Sequence, residues 1–507
     1  MSGKIERVHD PHPGYSRLLQ EYIVLPGHVE KDMSLDKVDL SSPLTSYQKG
    51  SVPKIKLNIP ILSAAMQAVT GPRMAIAMAR LGGAGVIFSS QEIEEQAEMV
   101  RKVKEYKAGF VIPDVFSPDS SIADVQRTIE LKGYSTFPIT KNGKPNEKLL
   151  GYITKQDFDP TVHKEKNVRD RMVPFKRVNR IYLDEILDES NNPDLNKANQ
   201  ILIEGHHGSL PIVDRKRRLK YVVFKKDIRE HIENPLEMVD KKKRLIVGAA
   251  IDTWDYEKRA AALIESEADF LWIVTRQGDS DYVEECYRTV RKIDDEIPIA
   301  VGNIATKKEF NNVKDLQPSL VGVGVGSGSI CTTQQVVNIG RGQATAVLKV
   351  AEARDELYDE TDFYIPIVSD GSVKHAIDIS AALSLGADAV MVGRLVAGTD
   401  ESNSELDAQK RTKKYWGEAS ERAKASQKKR YGHAKFPEGV EIDVPYVGPL
   451  KNHMEPIIAE VKATILSSGL KDIKEMHEQA ELEVLSYAAY QERIEKLSKI
   501  TSSPRNA

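Results

Sequence analysis

The feature that most constrains the fold is a series of eight short apolar runs, rich in Val, Ile and Ala, each ending near a Gly, Ser or Asp. Amphipathic segments of helix length, such as DTWDYEKRAAALIESE, lie between several of them. Apolar strands that alternate with helices are typical of parallel βαβ units, and eight units make a (β/α)8 TIM barrel. A doubly wound open sheet is the competing architecture. The runs are IPILSAAM (59–66), GGAGVIF (82–88), RLIVGAAI (244–251), ADFLWIV (268–274), IPIAVGNI (297–304), SLVGVGVGSG (319–328), YIPIVSDGS (364–372) and GADAVMVGRL (386–395).

An internal repeat lies between the second and third runs. STFPITKNGKPNEKLLGYITKQDF (135–158) and GSLPIVDRKRRLKYVVFKKDI (208–228) share a proline, a turn, a hairpin-like strand and a closing aspartate, Asp157 or Asp227. Each copy is too small to bury its own sheet, so we expect the two to pack as a pair. They resemble the tandem cystathionine-β-synthase (CBS) modules of nucleotide-sensing domains. A structural insertion without a ligand is the alternative.

The composition excludes several classes of protein. Lys and Arg number 72 against 75 Asp and Glu, so the net charge of -3 gives no electrostatic footprint for nucleic acid or an anionic membrane. Two cysteines cannot form a disulfide framework, which predicts a reducing, cytoplasmic location. Without a run of about 18 apolar residues, we expect a soluble, unexported protein with no membrane partner. The charged tail from about residue 470 has a helical period and predicts a surface or oligomer-contact helix.

Small and polar residues follow the last three apolar runs. The sixth run ends in Gly326–Ser329 before Cys331, the seventh in Ser369–Ser372 and the eighth in Val392–Arg394. Active sites of such barrels lie at the carboxyl ends of the strands, and glycines there let backbone amides approach an anion. The pattern therefore predicts a phosphorylated ligand. Asp370 is placed to accept hydrogen bonds from ribose hydroxyls, which indicates a nucleotide.

The two cysteines have different settings. Cys331 lies among backbone amides beside a helix start, and such groups stabilise a thiolate, so we expect a nucleophile rather than a core residue. Cys286 lies within the helix-like DYVEECYRTV and is expected to be structural.

Several motifs together resemble the inosine-5'-monophosphate (IMP) dehydrogenase / GMP reductase family, most closely its dehydrogenases. They are VGVGSGSICTTQ, the YIPIVSDG and MVGR strand ends, YWGEAS (415–420), KKRYG (428–432) and PEGVEIDVPYVG (437–448). The similarity extends over essentially the whole chain. It implies a catalytic barrel formed by residues 1–105 and 233–507, with a mobile flap at about 400–436 and a C-terminal tail, and an inserted tandem CBS (Bateman) domain at 106–232.

The resemblance also implies a reaction. The Cys331 thiolate adds to C2 of the purine, hydride leaves to NAD, and water hydrolyses the covalent thioimidate to release xanthosine monophosphate (XMP). It assigns Thr333, Arg430 and Tyr431 to activating water, and the cofactor contacts to Val274, Thr275, Arg276, Gly324 and Gly326. It assigns the substrate contacts to Ser63, Met66, Asn303, Ser329, Asp370, Gly371, Ser372, Gly393, Arg394, Tyr415, Gly417, Glu418, Ala419 and Glu438.

The same resemblance implies further partners. Backbone carbonyls of Gly326, Gly328 and Cys331 are expected to bind potassium. An adenine or guanine nucleotide is the expected effector of the CBS pair. The expected assembly is a homotetramer, with stacked octamers as a further state.

Three positions depart from the family pattern. Val274 stands where the family has an aspartate that holds the nicotinamide ribose, and Ala419 and Ser372 stand where glycine is usual. Loss of that carboxylate costs NAD charge-assisted hydrogen bonds worth about 1.5–3 kcal/mol, unless Arg276 or Asp279 compensates.

These departures leave several functions open. Oxidation of IMP to XMP is the first hypothesis, and a paralogue that oxidises AMP to isoguanosine monophosphate is the alternative. A GMP or XMP reductase is less favoured, because the Arg430–Tyr431 pair favours a hydrolytic step. A non-enzymatic nucleotide sensor is disfavoured by the presence of Cys331, Thr333 and Arg430.

Overall fold

The computed structural model describes residues 8–12, 14–106, 114–132, 136–188, 193–205, 208–224, 234–426 and 436–502. The chain forms two compact units. The first comprises Met1–Lys104, Leu236–Met238 and Leu245–Ala507, and the second comprises Glu105–Pro235 and Val239–Arg244. Among the described residues, no helix combines the length and apolar character needed to span a bilayer.

The first unit is built on a closed barrel of eight parallel strands. The strands are β1 (Ile61–Ser63), β2 (Ala84–Ile87), β3 (Val247–Ile251), β4 (Phe270–Val274), β5 (Ile299–Ile304), β6 (Leu320–Val323), β7 (Ile367–Asp370) and β8 (Ala389–Val392). They pair in the order β3-β4-β5-β6-β7-β8-β1-β2, and β2 pairs with β3 to close the ring. Every residue of β1, β2, β3, β6 and β8 is buried, as expected for strands covered on both faces. The barrel prediction is confirmed and the open-sheet alternative is wrong.

Amphipathic helices cover the barrel. The helix Asp281–Ile293 shows why, because it buries Val283, Cys286, Tyr287 and Val290, which recur at helical spacing along one face. Among the described residues outside 114–235, the α-helices are Pro72–Leu81, Ile93–Tyr106, Tyr256–Glu265, Asp281–Ile293, Lys307–Val313, Thr333–Val337, Gln343–Thr361, Ala376–Ser384, Arg394–Ala397, Glu421–Ser426, Leu450–Ser467, Ile473–Gln479 and Tyr487–Ser502. The short 3-10 helices there are Leu19–Glu21, Leu35–Lys37 and Lys314–Leu316.

Small sheets surround the barrel. Leu482–Val484 lies between Val8–His9, to which it is parallel, and Tyr22–Val24, to which it is antiparallel. The tail after residue 470 is therefore two helices separated by a strand, and differs from the single helix predicted. The other small sheets pair Ser42–Pro43 with Lys56–Leu57, Tyr47–Gln48 with Phe363–Tyr364, and Thr412–Trp416 with both Leu406–Asp407 and Glu441–Pro445.

A buried ion pair ties a helix to the amino-terminal end of the barrel. Asp388, immediately before β8, accepts hydrogen bonds from Arg354 Nη1 at 2.8 Å, Tyr364 Oη at 2.7 Å and the Ile367 amide at 2.8 Å. The side chains of Arg354 and Asp388 are 0% and 2% exposed. These contacts lie at the end of the barrel opposite to the carboxyl ends of the strands, so we assign them to stability.

The second unit contains two copies of one small motif. In the first, the strands Thr136–Thr140, Leu149–Thr154 and Val173–Pro174 form a sheet beside the helix Ile122–Lys132. In the second, Ser209–Val213, Leu219–Phe224 and Ile181–Tyr182 form a sheet beside the helix Leu195–Glu204. Short 3-10 helices are Val168–Asp170, Phe175–Arg177 and Leu183–Ile186.

The two copies pair reciprocally. The Leu149 amide donates to the Arg217 carbonyl, and the Leu219 amide donates to the Glu147 carbonyl, each at 2.9 Å. Their antiparallel hairpins also carry a register shift at equivalent places, at Ile139/Thr140 and Ile212/Val213. A shared core joins them, containing Leu149, Tyr152, Phe175, Val178, Val213, Leu219 and Val222. The predicted repeat therefore folds as a pair, as expected of copies too small to bury a sheet alone.

Candidate functional site

A cavity of about 670 Å³ opens at the carboxyl ends of the barrel strands. Residues that follow or end each of the eight strands line it, together with the 415–419 segment and Glu438. The predicted site residues that line it are Met66, Val274, Thr275, Arg276, Asn303, Gly324, Gly326, Gly328, Ser329, Cys331, Thr333, Asp370, Gly371, Ser372, Gly393, Arg394, Tyr415, Gly417, Glu418, Ala419 and Glu438. Sequence segments more than 300 residues apart thus meet in one place.

Three predicted residues are not among them. Ser63, at the end of β1, is fully buried, and its hydroxyl accepts a hydrogen bond from Thr70 Oγ1 at 3.0 Å. Arg430 and Tyr431 lie outside the described residues.

A chain of polar contacts starts at Cys331. Its half-buried Sγ lies 3.1 Å from Thr333 Oγ1, which donates to Glu438 Oε2 at 2.9 Å. The other carboxylate oxygen of Glu438 accepts from Arg276 Nη1 at 2.7 Å. Because the backbone amide of Thr332 donates to the Glu438 carbonyl at 3.0 Å, the cysteine loop and the 436–440 segment are held together. The arrangement can orient a thiol and pass a proton from the Thr333 hydroxyl to a carboxylate.

Cys286 is structural, as predicted. It is fully buried on the helix Asp281–Ile293, and its Sγ lies 3.7 Å from the Asp252 carbonyl oxygen. Burial raises the pKa of the Cys286 thiol to about 12. The thiol therefore stays protonated at neutral pH and is shielded from reagents.

The end of β7 and the loop that follows it bring a buried carboxylate and a backbone position of positive φ to the cavity. Asn303 Nδ2 donates to Asp370 Oδ2 at 2.8 Å. Burial raises the pKa of Asp370, and the Asn303 hydrogen bond opposes this by favouring the carboxylate. Ser372 has a φ of 61°, in the left-handed region where glycine is favoured, and its hydroxyl donates to the Ser327 carbonyl at 2.8 Å. That hydrogen bond offsets the cost of placing a serine here.

The 415–419 segment closes another side of the cavity. Trp416 Nε1 donates to the side-chain Oε1 of Gln67 at 3.0 Å, and the backbone N–H of Gln67 donates to Glu418 Oε1. Burial raises the pKa of Glu418. At Gly393 a Cβ atom would lie 2.6 Å from Tyr415 Oη, so only glycine permits this close approach. The segment is thereby fixed to the ends of β1 and β8.

The loop after β3 contributes residues that the sequence analysis does not predict. Asp252, Thr253 and Trp254 line the cavity, and Trp254 is 60% exposed. The rule that active-site residues follow the carboxyl ends of the strands would have identified them. It was applied to the last three apolar runs and applies equally to the third. The remaining omitted lining residues are Ala64, Ala65, Ser89, Val325, Ser327, Ile330, Val373 and Met391.

Comparisons with known proteins agree on one family. The family model described as the IMP dehydrogenase / GMP reductase domain matches residues 18–495. The chain is 38% identical over 474 residues to the inosine-5'-monophosphate dehydrogenase of Tritrichomonas foetus, covering 92% of this chain and 93% of that protein. It is 36% identical over 454 residues to the corresponding Bacillus subtilis enzyme, covering 88% of each.

A solved structure extends the comparison. A Trypanosoma brucei GMP reductase variant in complex with guanosine 5'-monophosphate matches with a TM-score of 0.78 at 28% identity, covering 94% of this chain and 97% of that one. Since the family match covers nearly the whole chain and includes every strand of the barrel, the protein is an oxidoreductase of the IMP dehydrogenase / GMP reductase family.

Proposed function

We propose that the protein oxidises IMP at C2 to XMP, with NAD as the hydride acceptor and Cys331 as the covalent nucleophile. The observation that carries this proposal is the Cys331–Thr333–Glu438 chain, which lines the same cavity as the Asn303–Asp370 pair. A thiol and a proton relay on one side and a carboxylate for ribose on another suit a nucleotide that reacts through its base. The curated relatives that share 34–38% identity are named as IMP dehydrogenases.

The residues fit a purine nucleoside monophosphate. The Asp370 carboxylate is placed to accept from the ribose hydroxyls, and the strand-end loops at 371–372 and 393–394 offer backbone amides and Arg394 to the phosphate. The 417–419 backbone and Glu438 face the remaining space, where the base lies. Asn303 Oδ1 is buried with no hydrogen-bond partner among the described residues, which leaves one further acceptor at this wall.

The chemistry follows in two halves. In the first, the Cys331 sulfur bonds to C2 of the base while the C2 hydride departs; bound NAD supplies the acceptor for that hydride. In the second, water adds to C2, the C–S bond breaks, and the Thr333 hydroxyl accepts the proton of water as it passes its own to Glu438. IMP, NAD and water thus yield XMP, NADH and one proton. Arg430 and Tyr431 are proposed to assist this second half.

A potassium ion is proposed at the cysteine loop. Hard cations take oxygen ligands, and carbonyl groups of Gly326, Gly328 and Cys331 lie on one short segment that lines the cavity. The proposed ligands are these backbone carbonyls, as the resemblance to the family implies. Turnover in potassium buffer is expected to exceed turnover in a buffer whose monovalent cations are all bulky organic amines.

A substrate panel tests the proposed function. The protein is incubated with NAD and IMP, AMP, GMP or XMP in turn, while the absorbance of reduced cofactor is followed and products are identified by mass. We expect conversion of IMP alone. Conversion of AMP but not IMP would establish the isoguanosine alternative, in which Ala419 and Ser372 alter the pocket.

Reduction of GMP is the second candidate, because two solved structures that match this chain are GMP reductases of Trypanosoma brucei. GMP with NADPH is therefore included in the panel. Release of ammonia and IMP from that mixture, with no oxidation of IMP, would assign the reductive reaction instead.

The second unit is proposed to be a tandem CBS domain that binds a purine nucleotide effector. It contains a cavity of about 830 Å³ lined by both copies of the motif, including Thr136, Tyr152 and Thr154 from one and Ser209, Leu210 and Phe224 from the other. ATP or GTP titrated into the full chain is expected to bind there. A Thr154→Trp variant, which fills this cavity, should lose that binding and keep basal turnover.

The assembly and compartment are also proposed. We infer that the protein forms a homotetramer, with octamers as a further state. We also infer a cytoplasmic location, because Cys286 and Cys331 do not form a disulfide with each other, which suits a reducing compartment. Sedimentation velocity with and without ATP or GTP tests the assembly.

A further inference from the structure

We propose that the carboxylate of Asp252, at the end of β3, accepts a hydrogen bond from a ribose hydroxyl of NAD. Val274, at the end of β4, has no side-chain group that could accept this hydrogen bond. The inference rests on the proposed NAD-dependent function and names the residue that recognises the second ligand. Asp252 is half-buried and lines the cavity beside Val274.

The strand register places the two positions side by side. β3 and β4 are parallel, and their last registered pair is Ile251 with Ile273. Asp252 and Val274 each follow by one residue, so they occupy neighbouring places at the same end of the barrel. Neighbouring strands lie about 4.8 Å apart, so the two side chains start from adjacent points at the rim of the barrel. A carboxylate at either position therefore reaches the same part of the cavity.

The position of Asp252 around the ring separates it from the mononucleotide site. In the strand order β3 lies four strands from β7, so Asp252 and Asp370 stand on opposite sides of the eight-stranded barrel. A ligand anchored at Asp370 and the loops after β7 and β8 leaves the Asp252 side for a second ligand. A reaction that transfers hydride between two nucleotides needs this arrangement.

The other carboxylates that line the cavity belong to other segments of the chain, since Asp370 ends β7 and Glu418 and Glu438 follow β8 in the sequence. Asp370 pairs with Asn303, and Glu438 accepts from both Thr333 and Arg276. Glu418 accepts from the Gln67 amide on the β1 side. Asp252 is thus the cavity carboxylate at the β3–β4 side among the described residues.

The groups around Asp252 suit a nucleoside. The Trp254 amide donates to Asp252 Oδ1 at 2.8 Å, which orients the carboxylate, and an ionised carboxylate has several lone pairs with which to accept from a ribose hydroxyl. The Trp254 ring is 60% exposed and lines the same cavity, so it offers an aromatic face beside that ribose. Asp279, the other nearby carboxylate, accepts from Asn312 Nδ2 at 2.8 Å and does not line the cavity.

Calorimetric binding of NAD tests the proposal. NAD is titrated into protein saturated with XMP, which lacks a C2 hydrogen and cannot donate a hydride, and again into protein alone. Asp252→Asn is expected to weaken NAD about 10- to 100-fold, the range for a hydrogen bond to a charged group, with XMP affinity within about twofold of the wild type. Asp279→Asn is the matched control on the neighbouring loop and should bind NAD as the wild type does.

Moving the carboxylate gives a second test. Asp252→Gly should lose NAD affinity, and Asp252→Gly combined with Val274→Asp should regain most of it. Equal affinity of Asp252→Asn and the wild type, or no recovery in the double variant, would overturn the proposal. If the wild type binds NAD and Asp252→Asn does not, yet IMP is not oxidised, the substrate assignment fails while the role of Asp252 stands.

Discussion

Replacing Glu438 by glutamine tests the relay beside Cys331. The carboxylate accepts from Thr333 Oγ1 at 2.9 Å and from Arg276 Nη1 at 2.7 Å, and a neutral amide can accept through only one oxygen. The two contacts differ in weight. Thr333 is 3% exposed, so its hydrogen bond to a charged acceptor is worth about 1.5–3 kcal/mol, whereas the Arg276 side chain is 49% exposed and its ion pair is worth about 0.2–1 kcal/mol.

These magnitudes predict unequal losses. Glu438→Gln should lower kcat/KM for IMP about 10- to 100-fold, while Arg276→Met should lower it no more than about fivefold. Steady-state NADH formation measures both. Glu441→Gln is the matched control, because Glu441 follows on the same segment and pairs with Arg422 at 3.0 Å and Lys414 at 3.6 Å. Turnover by Glu438→Gln within twofold of the wild type would refute the relay.

Three further predictions concern stability and reactivity. Asp388→Asn should lower the free energy of unfolding by about 1.5–3 kcal/mol, because Arg354 loses the buried carboxylate of Asp388 and keeps that of Asp355, whose Oδ1 lies 2.8 Å from Arg354 Nε. It should leave KM for IMP unchanged, and denaturant unfolding and kinetics measure both. Ser372→Ala should be about 1 kcal/mol less stable than Ser372→Gly, because a Cβ atom is strained at this positive φ and glycine has none. Equal stability of the two variants would contradict the strain. Iodoacetamide should label Cys331 in the native protein and Cys286 only after unfolding. Equal labelling of both thiols in the native protein would contradict the burial of Cys286. Because the pKa of Cys286 is raised to about 12 in the folded protein, its protonated thiol contributes fully to stability below about pH 8.5, and this contribution falls as the pH rises toward 12.

Much of the fold follows from the sequence because burial dominates a parallel barrel. Strands covered on both faces must be apolar throughout, so runs such as RLIVGAAI and GADAVMVGRL mark β3 and β8 directly. The tail shows the limit of such patterns. Leu482–Val484 lies in a segment of helical period and is a strand only because it pairs with Val8–His9 and Tyr22–Val24, more than 400 residues away. Nonlocal pairing of this kind has no local signal.

The candidate site divides in the same way. Residues at glycine-rich strand ends, such as Cys331 and Asp370, were predictable because the barrel rule gives their location. Asp252 and Trp254 were not singled out, since an aspartate and a tryptophan before a helix resemble an ordinary loop until the register sets them beside Val274. The positive φ of Ser372, which favours glycine, is a property of the folded backbone that composition alone could not show.

The central claim is that the Cys331 sulfur forms a bond to C2 of the purine. Acid quenching during turnover with IMP and NAD, followed by mass spectrometry of the digested protein, should find the nucleotide attached to the peptide that contains Cys331, and Cys331→Ala should show neither adduct nor NADH. Full turnover by Cys331→Ala, or a nucleotide attached to any other residue, would contradict the account.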